Sequence, residues 1–403
     1  MLNLSLIGIY YFVITNKLNP RQFVLLPDLE TVKRSQSFRK TRIGLSETLH
    51  EISSDKRLRW CGYGAVNNQY ITIRLSMNKQ GNKCAGASGL IMCNRVWTCP
   101  VCSYKIANQR NDDLKNTFRV WKQEHGSLLF ITFTLSHKRN DSLKSVWDAL
   151  NKAWGFMLNG KAWDNFSTQY GVEGFVRATE LTHGANGWHT HFHTALFINK
   201  GFDSDKAVSE IKDYISNRWT NGLAKSGFTA SASVGVDVRR TYSDSGLSKY
   251  LNKFADEITK GNTKIAKSNN RTPFAILQDI KESKDLGSNK SQIDLALWWE
   301  FEKESKGRRQ LVISKKVRAL VKLTPIDETV DDYIIDPITV MTISTGSWRY
   351  LKENRYLSEF YNRLENDSFT SVVNWLNDNT ITYMLMAQSK FPENKEFLNA
   401  SNR

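Results

Sequence analysis

The chain has 403 residues, with 56 Lys and Arg against 40 Asp and Glu and a formal charge of +16, long enough for two or three compact units. The excess is uneven: residues 321–403 hold 8 basic and 12 acidic side chains, leaving 48 against 28 in residues 1–320. A basic body of this kind suits a polyanion partner, while five cysteines, four of them between positions 84 and 102, exclude a secreted disulfide framework and read instead as zinc ligands.

The first elements lie in an apolar stretch at residues 4–14, too short to span a bilayer and without the positive lead or cleavage site of a signal peptide. It reads as a strand or buried extension, and the protein is expected in the cytoplasm. Residues 1–56 form a variable lead-in containing the basic polar run Lys33 to Lys40. Residues 57–125 form a zinc-binding module and a connecting helix from about 103 to 124, with Ile106, Leu114, Phe118 and Trp121 on one face.

A strand at 128–135, rich in β-branched and aromatic residues, opens a core of residues 126–262. Leu143, Val146, Leu150, Trp154 and Met157 recur at three- and four-residue steps, which predicts a helix over 142–158. Strands at 173–182 and 188–198 flank the turn Gly184-Ala185-Asn186-Gly187 and form a hairpin. A helix over 204–225 follows, burying Val208, Ile211, Ile215 and Trp219, then a strand at 234–238 and a helix at 243–260. This order predicts an α+β fold, an antiparallel sheet with helices packed on one face and the other face free. Residues 263–345 form an extension with a helical segment at 291–305, and residues 346–403 an acidic tail of unassigned role.

Three groups carry chemistry. Cys93, Cys99 and Cys102 form a knuckle in which Cys99 and Cys102, three positions apart, reach one tetrahedral ion; the fourth ligand is Cys61 or Cys84, and such a site is structural because no position stays open. In Trp188-His189-Thr190-His191-Phe192-His193 the three imidazoles project to one side of a strand and suit a divalent metal. Glu180 on the preceding strand supplies a carboxylate, and the mixed set suits magnesium or manganese. Tyr250 sits at the margin of a helix with Lys253 three residues on, where a cation assists a developing phenolate.

Taken together, these residues resemble the plasmid rolling-circle replication initiators of the HUH (His-hydrophobe-His) endonuclease superfamily, in its zinc-knuckle branch. Phe130-Ile131-Thr132-Phe133-Thr134 is similar to the first motif, Gly187 to His193 to the second, and Lys249-Tyr250-x2-Lys253 to the third. Arg59-Trp60-Cys61-Gly62 resembles the branch's upstream Cys-Gly and favours Cys61 as fourth zinc ligand, and Arg308 to Ser314 is similar to its downstream segment. The resemblance covers roughly residues 57–325. It implies a nuclease and strand transferase that binds an origin hairpin and meets host helicase and polymerase. His191, His193 and Glu180 would hold Mg2+ or Mn2+, His189 would be an additional ligand or an orienting group, and Tyr250 would be the nucleophile. The pattern departs at Gly246, where relatives often carry a glutamate for termination; Asp244 and Glu257 are the nearby acids. A relaxase or single-strand transposase would share this chemistry, whereas a zinc-dependent DNA-binding regulator would lack it.

Overall fold

The structure is a computed structural model that describes residues 29–77, 83–240, 270–283, 288–320, 325–326, 328–330 and 337–386. Helix α1 (Leu29–Ile52) and the single turn α2 (Lys56–Arg59) lead into a hairpin of β1 (Tyr70–Met77) and β2 (Lys83–Ser88). Helix α3 (Pro100–Glu124) starts three residues before the predicted boundary, because Pro100 takes a first-turn position and the Cys99 sulfur caps the Cys102 amide.

The central sheet is built from β3 (Gly126–Phe133), β4 (Val172–Gly184), β5 (Gly187–Asn199), β6 (Val236–Arg240) and β7 (Leu311–Ile313), in the order β6-β3-β5-β4-β7. Helices α4 (Leu143–Met157), α5 (Lys161–Gln169) and α6 (Asp205–Ala224) fall between its strands. Ser142 and Ser204 cap α4 and α6 by accepting from the amides of Ser145 and Ala207. The predicted hairpin forms with Gly184 paired to Gly187, and the segment carrying Leu311 to Ile313 adds β7 along the outer edge of β4. The predicted helix at 243–260 lies outside the described residues, as does the apolar stretch at 4–14.

Alternation along β3 and β5 sends Leu129, Ile131, Phe133, Phe192, Leu196 and Ile198 to one face, where α4, α5 and α6 bury them. Trp219 of α6 is fully buried there, a contribution of about 2–3 kcal/mol. The opposite face is only partly open. Over part of its length Leu128, Phe130, Val176, Ala178, Ala195 and Phe197 pack under α3 and the short helix α9 (Lys315–Leu320). The remaining part carries the histidines.

A second sheet has the order β2-β1-β8-β9, with β8 (Ile338–Ser344) and β9 (Tyr383–Leu385) contributed from the far end of the chain. Its apolar side merges with α1, with α7 (Pro273–Glu282) and α8 (Asn289–Ser305), and with α10 (Thr345–Glu353), α11 (Leu357–Asn366) and α12 (Phe369–Asp378). The cysteines at 61, 93, 99 and 102 belong to this same core. The lead-in therefore contains a packed helix, with Leu45 and Leu49 of α1 buried, and the acidic stretch beyond 345 is folded against the cysteine region. No helix among the described residues is long and apolar enough to cross a membrane.

Candidate metal centres

Strands β4 and β5 bring Glu180, His191 and His193 together, with one donor atom from each lying within 4.8 Å of the other two. The register places Glu180 opposite His191 and Ala178 opposite His193, so all three side chains rise from one face. The His193 Nε2 lies 2.8 Å from Glu180 Oε2, and its Nδ1 lies 3.3 Å from the Thr132 hydroxyl of β3. If Nδ1 donates to that hydroxyl, Nε2 keeps its lone pair for a cation, the usual outer support of a ligating histidine.

The His191 Nε2 is buried without a hydrogen-bond partner. Burial, reinforced by the neighbouring His189 and His193, holds this imidazole down at about 3. It is therefore neutral at ordinary pH and keeps an unshared electron pair inside the protein. An orphaned nitrogen beside a carboxylate and a second imidazole fits a divalent cation of the magnesium or manganese type.

His189 shares the face but stands outside the three-donor group. Its Nδ1 meets His137 Nε2 at 2.8 Å, and its ring packs against His191 at 4.0 Å between centroids and 81° between planes. Sequence reasoning missed His137, which lies in the loop after β3, three residues beyond the first motif. Gly187 helps place that loop: its φ is +85°, and a Cβ there would approach the Arg139 carbonyl oxygen to 2.8 Å.

The second group is fully interior. Cys61, Cys93, Cys99 and Cys102 are buried with their sulfurs within 4.8 Å of one another, and the Cys61–Cys99, Cys61–Cys102 and Cys93–Cys102 separations are 3.6 Å. A tetrahedron with zinc–sulfur bonds near 2.3 Å has edges of about 3.8 Å, so these separations match zinc. Hydrogen bonds from Cys102, Cys93 and Cys99 hold the Cys61 thiol well below its usual range, while Cys99 and Cys102 are pushed up. One thiolate is stabilised by its neighbours and further ones are resisted, the situation a divalent cation relieves. Of the two candidates for fourth position, Cys61 joins the group; Cys84, on β2, lies instead 3.2 Å from Arg39 Nη2. Tyr250, Lys253, Asp244, Gly246 and Glu257 lie outside the described residues.

The class defined by this architecture is an α+β protein whose sheet itself carries a carboxylate and two imidazoles placed so that they could hold a metal ion. Residues 89–345 match the family described as Replication protein, and the chain belongs to that family. It is 25% identical over 303 residues to the Protein rep of Streptomyces lividans, covering 60% of this chain and 66% of that one. It is 29% identical over 153 residues to a neomycin resistance protein of Streptomyces cyanogenus, 31% of this chain and 35% of that protein. A Protein rep of Staphylococcus aureus is 25% identical over 111 residues, 27% of this chain and 46% of that relative. The matches thus span just under two thirds of the first relative and less than half of the others. No solved structure matches significantly.

Proposed function

We propose that this chain is a cytoplasmic plasmid rolling-circle replication initiator that nicks and rejoins single-stranded origin DNA. The observation that carries the reading is the group Glu180, His191 and His193 on the open part of a sheet face in a member of the replication protein family. A bound Mg2+ or Mn2+ would supply Lewis-acid stabilisation of charge on the scissile phosphate. Glu180, His191 and His193 hold that cation, and His189 orients His191 from behind. Tyr250 attacks phosphorus through its phenolic oxygen, losing its proton, and the bond to the 3′ oxygen breaks as that oxygen takes up a proton in exchange and leaves as the 3′-OH. The product is a 5′-phosphotyrosyl enzyme, and the retained bond energy permits rejoining. Lys253 stabilises the developing phenolate. The freed 3′-OH is a primer, which implies host helicase and polymerase as partners. Cys61, Cys93, Cys99 and Cys102 hold a structural zinc.

The test is incubation with a single-stranded origin oligonucleotide with and without Mg2+, read as a covalent protein–DNA adduct. Wild type should form the adduct only with the metal, and Tyr250→Phe should bind DNA yet form none. Undiminished adduct in Tyr250→Phe would move the nucleophile to Tyr242, since Tyr214 of α6 is packed on the opposite face of the sheet. Absence of any adduct in the wild type would favour a zinc-dependent DNA-binding regulator.

A further inference from the structure

Cys61 joins the buried sulfurs, but the five-residue run that precedes it, Lys56 to Trp60, faces solvent at every position except Leu58. Lys56, Arg57 and Arg59 of α2 are exposed, and Trp60 follows at 58% exposure. Among the described residues these three cationic side chains form no ion pair, and the Trp60 indole N–H makes no hydrogen bond. Eight other tryptophans are exposed by 7% or less, and Trp299, the next most exposed at 48%, ties its indole N–H to the Ile52 carbonyl at 3.0 Å. Trp60 is therefore unlike the rest. An indole left in water forgoes about 2–3 kcal/mol of burial.

The ring is nevertheless held in place. The Trp60 amide donates to the Lys56 carbonyl at 3.1 Å, and Tyr63 meets the indole edge-on at 5.5 Å and 79°. Tyr63 in turn lies under Lys352 Nζ at 4.6 Å and against His50 at 4.9 Å. Ile91, 53% exposed, runs alongside, donating to the Gly64 carbonyl and accepting from the Gly62 amide. Of the acids nearby, Asp55 is paired with Arg95 at 2.8 Å and Glu51 with Arg355 at 2.9 Å, while Glu353 and Glu47 stand close enough to Tyr63 to add to the effect of burial in pushing its phenol up.

We propose that Lys56, Arg57, Arg59 and Trp60 form a stacking platform for single-stranded DNA, mounted on the four-cysteine cluster and distinct from the histidine site. An anchored aromatic face with cations beside it is the arrangement that receives an unstacked base and its flanking phosphates. A duplex keeps its bases stacked on each other and would meet only the cations. An apolar protein partner would suit Trp60 and Ile91 but leave three cations uncompensated. The surface extends the replication reading, yet it needs no nicking chemistry.

The experiment uses the full chain with zinc and without Mg2+, measuring anisotropy of a labelled twenty-residue oligothymidylate and of a duplex of equal length. Trp60→Ala and Trp60→Leu should each weaken oligothymidylate binding roughly tenfold and change duplex binding less than about threefold. Trp60→Phe, which keeps an aromatic face, should stay within about threefold of wild type on both. Replacing Lys56, Arg57 and Arg59 with Gln should lower the salt dependence on the single strand by about two. Zinc content and melting temperature report folding; if Trp60→Ala fails there, the Leu and Phe pair decides. Wild-type oligothymidylate affinity in Trp60→Leu, or equal loss on strand and duplex, overturns the proposal. The His191→Ala, His193→Ala double variant should retain the Trp60 dependence, so failure of the nicking reading leaves this comparison intact.

Discussion

Glu180 and His193 meet diagonally across the hairpin, Oε2 to Nε2 at 2.8 Å, although the strand register sets Glu180 directly opposite His191. The carboxylate thus leans along its strand toward one imidazole while staying within reach of the other, and a single cation can touch all three. Glu180→Gln keeps the shape but removes the charge, and should weaken Mn2+ binding by at least about tenfold in a calorimetric titration. Wild-type affinity in this variant would mean that the carboxylate is only a partner of His193.

His137 supports the same site from a loop. Its bond to His189 fixes a ring that packs on His191. His137→Ala should lower Mn2+ affinity about tenfold with oligonucleotide affinity unchanged, and His137→Gln should restore part of it. A wild-type titration in His137→Ala would reduce the pair to loop packing.

The two candidate fourth cysteines separate cleanly. Cys99→Ser and Cys61→Ser should each release zinc and lower the melting temperature, because thiolate binding energy is folding energy. Cys84→Ser should keep about one zinc per chain by elemental analysis, since that sulfur faces Arg39. Zinc loss in Cys84→Ser would undo the assignment.

His50 makes stability depend on pH. Burial first, and then the Lys352 charge, hold its imidazole down to about 3, with Cys61 opposing. An unfolded chain takes up that proton near pH 6.5, so the contribution is complete above that value and is lost as pH falls toward 3. The slope reaches at most about 1.4 kcal/mol per pH unit. Urea unfolding at pH 7.5 and pH 5 should show a smaller acid loss in His50→Gln than in wild type. Parallel losses would show that the imidazole does not contribute.

Arg177 is 6% exposed, with its guanidinium 3.9 Å over the Phe192 ring and 4.9 Å from Trp154. Burial lowers its pKa to about 10, and no described carboxylate pairs with it. Arg177→Met should therefore be neutral or stabilising, whereas Arg177→Ala should cost about 2–4 kcal/mol through the space it leaves. A large loss in the Met variant, measured by denaturant unfolding, would point to an anionic partner for this cation.

The histidine strand was legible because period-two alternation is a local property, and the knuckle because ligand spacing is local too. Helix α4 followed from Leu143, Val146, Leu150 and Trp154 for the same reason. His137 was not legible, since nothing periodic links a loop residue to a strand four elements later. The pairing of Ile73 with Met341 was equally hidden, because it joins distant segments whose own patterns announce nothing about each other. Helix α1 was masked by its basic residues, which leave only sparse apolar positions such as Leu45 and Leu49.

The second sheet has a consequence for synthesis on the ribosome. Strand β1 is flanked by β2 on one side and β8 on the other, so a nascent chain carries one bare β edge until Ile338 to Ser344 have emerged. Throughout that interval the cysteines are already outside the ribosome while α10, whose Lys352 reaches the Cys61 carbonyl, is still unmade. A message cut before β8 would yield a product with an unpaired strand beside incompletely covered thiols, prone to pair with its own kind.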